Sequence, residues 1–296
     1  MSTEPRRRAP YGVEYARIEV PDLRATADFL VYHVGLQLEQ HNEEYAFLRA
    51  DIEHHSIELV SAPGREAAET TAVGFSVEST AVLDDLHDRV TAAGLEVLPL
   101  ADRMKGLCER GFAVRDPNGL VVELFTEFTE YAEPPLLELR PVDLVHPFLA
   151  TDKYDESLEF YTKVLGFQTS DYVGDVTVFL RGEDRYHHSL ALQRNKQFYV
   201  AHLCFTMKSF DHVMRARARA LYKKVPIASD LVNHSASTSI AFYLFDPVHG
   251  PRYELCDGHR VLTVEEHETT HRARRMALDP RNIDVWRAAA DDWGRF

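Results

Sequence analysis

Residues 143–167 read DLVHPFLATDKYDESLEFYTKVLGF and residues 14–36 read EYARIEVPDLRATADFLVYHVGL, and the fold follows from setting one above the other. Each opens on an alternating strand pattern, passes a turn, and continues with apolar residues at helical spacing until a glycine, Gly166 or Gly35, stops the helix. The echo continues outward. EHHSIELV at 53–60 matches YHHSLALQ at 186–193, and VGFSV at 73–77 matches HLCFTM at 202–207. The latter two lead into amphipathic helices, STAVLDDLHDRVTAAG from 79 and SFDHVMRARARALYKK from 209. Both copies close on an Asp-Pro turn and a strand, DPNGLVVELF at 116–125 and DPVHGPRYELC at 246–256. Gly35 and Gly166 stand 131 residues apart, Glu123 and Glu254 also 131, and His55 and His188 133, so the copies hold register with small loop changes. Self-similarity at a fixed spacing marks tandem modules.

Within each copy the order strand, helix, three strands recurs at half length, so the expected class is α+β: two tandem modules of paired βαβββ units forming curled mixed sheets. The expected organisation is a non-catalytic module over 1–130, a metal-binding catalytic module over 131–258 and a tail over 259–296. Residues 126–140, with Pro134, Pro135 and several glutamates, read as the linker. The tail has no counterpart in the first copy, and its spacing predicts a short helix from about 283 to 293 that packs across a site or a subunit contact.

A chain of 296 residues that is 45% hydrophobic can bury a substantial core. Its 47 acidic residues against 33 basic ones give a formal charge of −14, which argues against nucleic acid or an anionic membrane as the main partner. No apolar run is long enough to span a bilayer, and none follows Arg6, Arg7 and Arg8, so a cytoplasmic protein is expected. Cys108, Cys204 and Cys256 are too few and too scattered for a disulfide framework, and are expected as thiols.

The repeat supplies its own control, because residues needed only for folding should stand in both copies while residues needed for chemistry stand in one. At the first-strand position the second copy has His146 where the first has Ala16 or Arg17, depending on the loop alignment. His202 faces Ala72, whereas Glu254 keeps its counterpart Glu123. Only the second copy therefore joins two imidazoles and a carboxylate on separate strands, the facial set that leaves open positions on Fe(II) for substrate and dioxygen. His146 lies in an apolar strand, where an imidazole without a partner is costly. Cys204 and Cys256 share the ligand side by alternation, but the set is complete without them and they read as core thiols. His54 and His55 read as structural, and so does His187, which points away from His188 but can tune it. Arg272, Arg274 and Arg275 read as a solvated helix face rather than a clamp for a substrate carboxylate.

Four stretches, LVHPFLATDKYDESLEFYTKVLGF, YHHSLAL, AHLCFTM and NHSASTSIAFYLFDPVHGPRYELCDG, resemble the vicinal oxygen chelate superfamily. Within it the chain is similar to the two-module type I extradiol, catechol 2,3-dioxygenase-like enzymes over residues 12–258. The resemblance implies that His146, His202 and Glu254 hold iron and that His188 handles the proton. It makes His234 and Tyr243, nine residues apart, the substrate-contacting histidine and the tyrosine beside the substrate hydroxyl. The implied activity is extradiol (meta) cleavage of a small aromatic diol by dioxygen at a mononuclear non-haem Fe(II), with Mn(II) accepted by the same ligands, in a homo-oligomer. The implied product is of the 2-hydroxymuconic semialdehyde type, in aromatic hydrocarbon catabolism. Phe148, with Phe205 and Tyr161 nearby, suggests an apolar catechol. Two alternatives stay open: another metal enzyme of the scaffold, such as a glyoxalase-like isomerase or a keto-acid dioxygenase, and a metal-free aromatic-binding protein. An isomerase would need a second glutamate base, and a metal-free binder would leave three matched ligands without a purpose.

Overall fold

The computed structural model describes residues 8–246 and 250–286. The first sheet contains β1 (Val13–Val20), β2 (Gln37–His41), β3 (Tyr45–Arg49), β4 (Ile57–Ser61), β5 (Glu69–Ser76), β6 (Arg110–Arg115) and β7 (Val121–Thr126). The second contains β8 (Pro141–Thr151), β9 (Gln168–Val173), β10 (Thr177–Arg181), β11 (Leu190–Arg194), β12 (Tyr199–Met207), β13 (Ile227–Asn233), β14 (Ile240–Phe245), β15 (Arg252–Asp257) and β16 (Arg274–Met276). Their orders are β2-β3-β4-β1-β5-β7-β6 and, read from the far edge, β16-β9-β10-β11-β8-β12-β15-β14-β13. The two orders superimpose element by element. What is β13 in the second sheet shrinks in the first to one bridge between Leu98 and Ala113, and β16 is an added edge strand. Both sheets are mixed, with parallel pairs β1–β4, β5–β7, β8–β11 and β12–β15, as the α+β tandem reading expects.

Helix α1 (Leu23–Phe29) starts where Asp22 accepts a hydrogen bond from the Ala25 N–H, and it continues as a π turn, Leu30–Val34. Helix α3 (Tyr154–Glu159) continues likewise through Phe160–Val164. Gly35 at φ 95° and Gly166 at φ 86° then reverse the chain in the left-handed region, and a Cβ on Gly35 would also stand 2.7 Å from the Leu139 carbonyl oxygen. Helices α2 (Thr80–Ala92) and α4 (Phe210–Lys223) are capped by Ser79 and Ser209. They bury Leu83, Leu86 and Val90, and Val213, Ala216 and Ala220, one stripe each against a sheet.

A single apolar cluster joins the modules, with Ile18, Leu48 and Phe75 from the first and Leu149, Tyr161 and Phe205 from the second. Across the junction the rings of Phe75 and Phe167 meet edge to face at 5.4 Å, and the Tyr161 hydroxyl donates to Asp116 at 3.2 Å. Phe205 and Tyr161, expected near the substrate, are thus fully buried core residues, since they lie on the helix-packed side of the sheet.

The segment read as a linker is tied to the first module, with Thr129 N–H donating to the Leu107 carbonyl and Tyr131 N–H to that of Ile52. In the tail, the arginine run is not a helix face. Arg274 and Arg275 lie in β16, which pairs in parallel with β9 because the chain there is extended by main-chain bonding at a free sheet edge. A short tail helix, α5 (Pro280–Ile283), is started by Asp279 and by Pro280 in its first turn and ends at Ile283, about where the expected helix begins; residues 287–293 of that expectation lie outside the described residues. Among the described residues, no helix is long and apolar enough to cross a membrane.

Candidate metal centre

Strand register brings the expected ligands together. In β8–β12, His146 pairs with Cys204 and Phe148 with His202, and in β12–β15 Cys204 pairs with Glu254. The result is that His146 Nε2 lies 3.3 Å from His202 Nε2, while Glu254 Oε2 lies 3.0 Å from His202 Nε2 and 3.7 Å from His146 Nε2. All three side chains are buried.

The same register in the first module names their counterparts. Tyr15 pairs with Gly74, Arg17 with Ala72, and Gly74 with Glu123. His202 therefore corresponds to Ala72 and Glu254 to Glu123, as expected, but the counterpart of His146 is Tyr15, not Ala16 or Arg17. Bulges in both central strand pairs move the count by a residue, which linear spacing does not reveal. The Tyr15 hydroxyl donates to Glu123, and its ring occupies the space where Gly74 has no Cβ. Arg17 bonds Glu58 at 2.6 Å and Glu123 at 3.1 Å, so a fixed side-chain cation stands beside this carboxylate.

Burial holds the His146 imidazole well below its ordinary pKa and lowers that of His202. Burial works to raise Glu254, but hydrogen bonds with His202 and His234 outweigh it and keep the carboxyl well below the usual range. Two neutral imidazoles and one carboxylate are the protonation states that bind a metal. With bonds of about 2.2 Å, neighbouring ligands at right angles stand roughly 3 Å apart, close to the separations found here. The donor set and spacing fit a divalent first-row ion such as Fe(II) or Mn(II).

Above the three donors opens a cavity of about 330 Å³ that His188, His234 and Tyr243 also line. Phe148, Phe179, Val232, Leu278 and Ile283 form its apolar wall, Phe148 stacking on His202 at 4.7 Å. His188, buried, packs its ring 4.1 Å from that of His146. His234 Nε2 lies 2.8 Å from the Tyr243 hydroxyl and 3.4 Å from Glu254 Oε1, and its Nδ1 donates to the Ile283 carbonyl at 3.1 Å. Burial opposes a charge on His234, yet its bonds to Glu254 and to that carbonyl raise its pKa above the ordinary value. Burial first, and then the Glu254 charge, push the Tyr243 hydroxyl well up, so it remains a donor. All six residues singled out in the sequence thus converge on one cavity. A larger groove of about 650 Å³ meets it only at Ala201 and Arg252 and holds none of the six.

Some of the surroundings escaped the sequence reading. His259 is buried against His188 and His146, at 4.5 and 5.5 Å between ring centroids, with neither ring nitrogen hydrogen-bonded. It follows the closing strand, outside the columns that the repeat compares, so only its proximity to Glu254 in the chain hinted at it. Asp171 was also missed, and Arg274 was read as part of a solvated helix face: Asp171 bonds His187 at 2.8 Å and Arg274 Nε at 3.0 Å. Cys204 lies 3.5 Å from Cys256, its thiol pushed well up by burial. With His146 and His259 it forms a second group of neighbouring donor atoms. His54 and His55 pack among Phe47, Phe128 and Tyr15, in keeping with a structural part.

Comparison with known proteins gives four findings. The Glyoxalase/Bleomycin resistance protein/Dioxygenase superfamily matches residues 12–124 and 143–272. The biphenyl-2,3-diol 1,2-dioxygenase of Pseudomonas sp. (strain KKS102) is 27% identical over 288 residues, 89% of this chain and 94% of that protein. The iron-dependent extradiol dioxygenase of Rhodococcus jostii (strain RHA1) is 27% identical over 276 residues, 84% of this chain and 90% of that protein. Among solved structures, the Mn(II)-bound glyoxalase from Novosphingobium aromaticivorans superimposes with a TM-score of 0.82 at 24% identity, covering 94% of this chain and 91% of that one, a likeness of fold.

Proposed function

This chain belongs to the Glyoxalase/Bleomycin resistance protein/Dioxygenase superfamily, and from that premise we propose that it is an extradiol dioxygenase that opens a catechol ring beside its diol, using dioxygen and an Fe(II) held by His146, His202 and Glu254. The observation that carries the reading is the convergence of three metal-competent donors with His188, His234 and Tyr243 on one apolar-walled cavity. The iron dependence of the Rhodococcus relative favours Fe(II) over Mn(II). An ion held by His146, His202 and Glu254 would supply Lewis-acid and redox chemistry and gather diol and dioxygen at one centre, which removes much of the entropic barrier between the reactants.

The chain's own residues do the rest. Tyr243, backed by His234, donates a hydrogen bond to one diol oxygen and orients the ring. His188 accepts the proton of the second hydroxyl through the nitrogen that faces the cavity. Phe148, Phe179, Val232 and Leu278 hold the ring and exclude water, which favours a catechol with an apolar substituent and a product of the 2-hydroxymuconic semialdehyde type. The catalytic module is 131–258, and the module over 1–130 supports it, with Tyr15 and Ala72 where His146 and His202 stand and with Glu123 tied up by Tyr15 and Arg17.

The test is anaerobic reconstitution with Fe(II), then air-saturated buffer containing catechol, 3-methylcatechol or 2,3-dihydroxybiphenyl. Yellow product with one dioxygen consumed per ring supports the reading. Bound iron with no turnover of any diol refutes it and favours a keto-acid dioxygenase or an isomerase.

A further inference from the structure

A neutral imidazole has one N–H and one bare nitrogen, and the partner of either nitrogen decides which is which. Three residues in series make that decision for His188. Arg274 can only donate, and it gives Asp171 hydrogen bonds from its main-chain N–H at 2.8 Å and from Nε at 3.0 Å. Asp171, fully buried, is tied to His187 Nε2 at 2.8 Å. His187 Nδ1 in turn lies 3.1 Å from His188 Nδ1. Burial tends to raise Asp171, but the bonds with His187 and Arg274 overcome it and hold the carboxyl down at about 2, so it accepts only. His187 must therefore carry its hydrogen on Nε2, which leaves Nδ1 bare. His188 must then donate from Nδ1, leaving its Nε2 bare on the cavity side.

The repeat provides a comparison inside the same chain. His54 and His55 reproduce the Nδ1 to Nδ1 contact at 2.9 Å. Yet strand register sets Gln40, opposite Phe47, where Asp171 stands opposite Phe179, and Gln40 is exposed. Among the described residues, no hydrogen bond joins Gln40 to His54. The histidine pair without the carboxylate belongs to the module without the metal donors, and the pair with it to the module that has them.

We propose that Asp171, clamped by Arg274, is a positioning residue that sets the tautomer of His188 through His187, so that His188 Nε2 meets the cavity as a proton acceptor. When Nε2 takes the phenolic proton, the imidazolium donates from Nδ1 to His187, and the Asp171 carboxylate at the far end stabilises the added charge. The tail, outside the repeat, thus contributes to the acid–base group by way of Arg274. What His188 does with that nitrogen rests on the extradiol reading; the tautomer does not.

The experiment uses the full chain labelled with ¹⁵N-histidine and loaded with diamagnetic Zn(II). Long-range ¹H–¹⁵N correlation distinguishes the two tautomers, and a His188→Gln spectrum assigns the signal. The expected result is a single Nδ1–H form of His188. Asp171→Ala should populate the Nε2–H form and, in the iron enzyme, lower kcat more than tenfold while iron content and the anaerobic Kd for catechol stay within about twofold. A wild-type His188 carrying its hydrogen on Nε2 overturns the proposal whether or not any variant folds. So does a loss of kcat in Asp171→Ala with the tautomer unchanged. A wild-type protein that turns over no diol refutes the extradiol reading instead and leaves the tautomer result standing.

Discussion

Replacing His202 and His188 in turn by alanine separates metal binding from proton transfer, because the two imidazoles line one cavity yet only the first points a nitrogen at the other donors. His202 Nε2 sits 3.0 Å from Glu254 and 3.3 Å from His146, so its loss removes one of three ligands. His188 contributes no atom to that group, its Nδ1 being engaged by His187. His202→Ala is expected to lose iron on dialysis. His188→Ala should keep it and lose 10²- to 10⁴-fold in kcat, the usual worth of a general base, or roughly 3–5 kcal/mol of barrier at about 1.4 kcal/mol per decade. Iron titration and stopped-assay kinetics on both proteins give the first reading. Thermal melting gives the second: iron at a hundred times its Kd stabilises the folded state by about 2.7 kcal/mol. At about 2.1 cal/mol/K per residue over 296 residues this raises Tm by roughly 4 °C. The shift should survive in His188→Ala and vanish in His202→Ala. Parallel loss of iron and of the Tm shift in both variants would refute the division of roles.

Further outcomes follow from other contacts. Gly74→Ala places a Cβ inside the Tyr15 ring, and with both residues buried the overpacking should cost about 1–3 kcal/mol by urea denaturation; an unchanged midpoint would show that Tyr15 has room to turn. Asp171 has a folded pKa of about 2 against an ordinary 3.8, so its contribution is present above pH 4 and is lost as pH falls from 4 toward 2. Over that window the wild type should lose on the order of 2 kcal/mol that Asp171→Asn does not lose, and equal acid sensitivity would contradict the bonding described. Deleting residues 278–296 keeps Arg274 but removes Leu278 and Ile283 from the cavity wall and the carbonyl that bonds His234, so KM for catechol should rise several-fold with iron unchanged; an unaltered KM in a folded truncation would remove the tail from the site. Tyr161→Phe deletes one bond to buried Asp116 between the modules and should cost about 1 kcal/mol, read as a lower urea midpoint without change in kcat.

Much of this protein was legible in its sequence because strand alternation and helical spacing are local, and because a repeat held in register over 131 residues lets one half of the chain be read against the other. The paired βαβββ architecture and the three donors His146, His202 and Glu254 came from that comparison, whereas His188, His234 and Tyr243 came from the resemblance to the two-module extradiol enzymes. The column opposite His146 did not, since bulges in the central strands shift the count and only pairing reveals Tyr15 there. His259 and Arg274 belong to segments outside the repeat, where no internal column exists to mark them. Arg274 reaches Asp171 across 103 residues by completing a sheet edge, and Phe205 and Tyr161 turn into the core because helices cover that side of the sheet. Such placements depend on which distant segments pack together, which no local period encodes; the tertiary structure alone decided that the tail reaches Asp171 behind the His187–His188 pair.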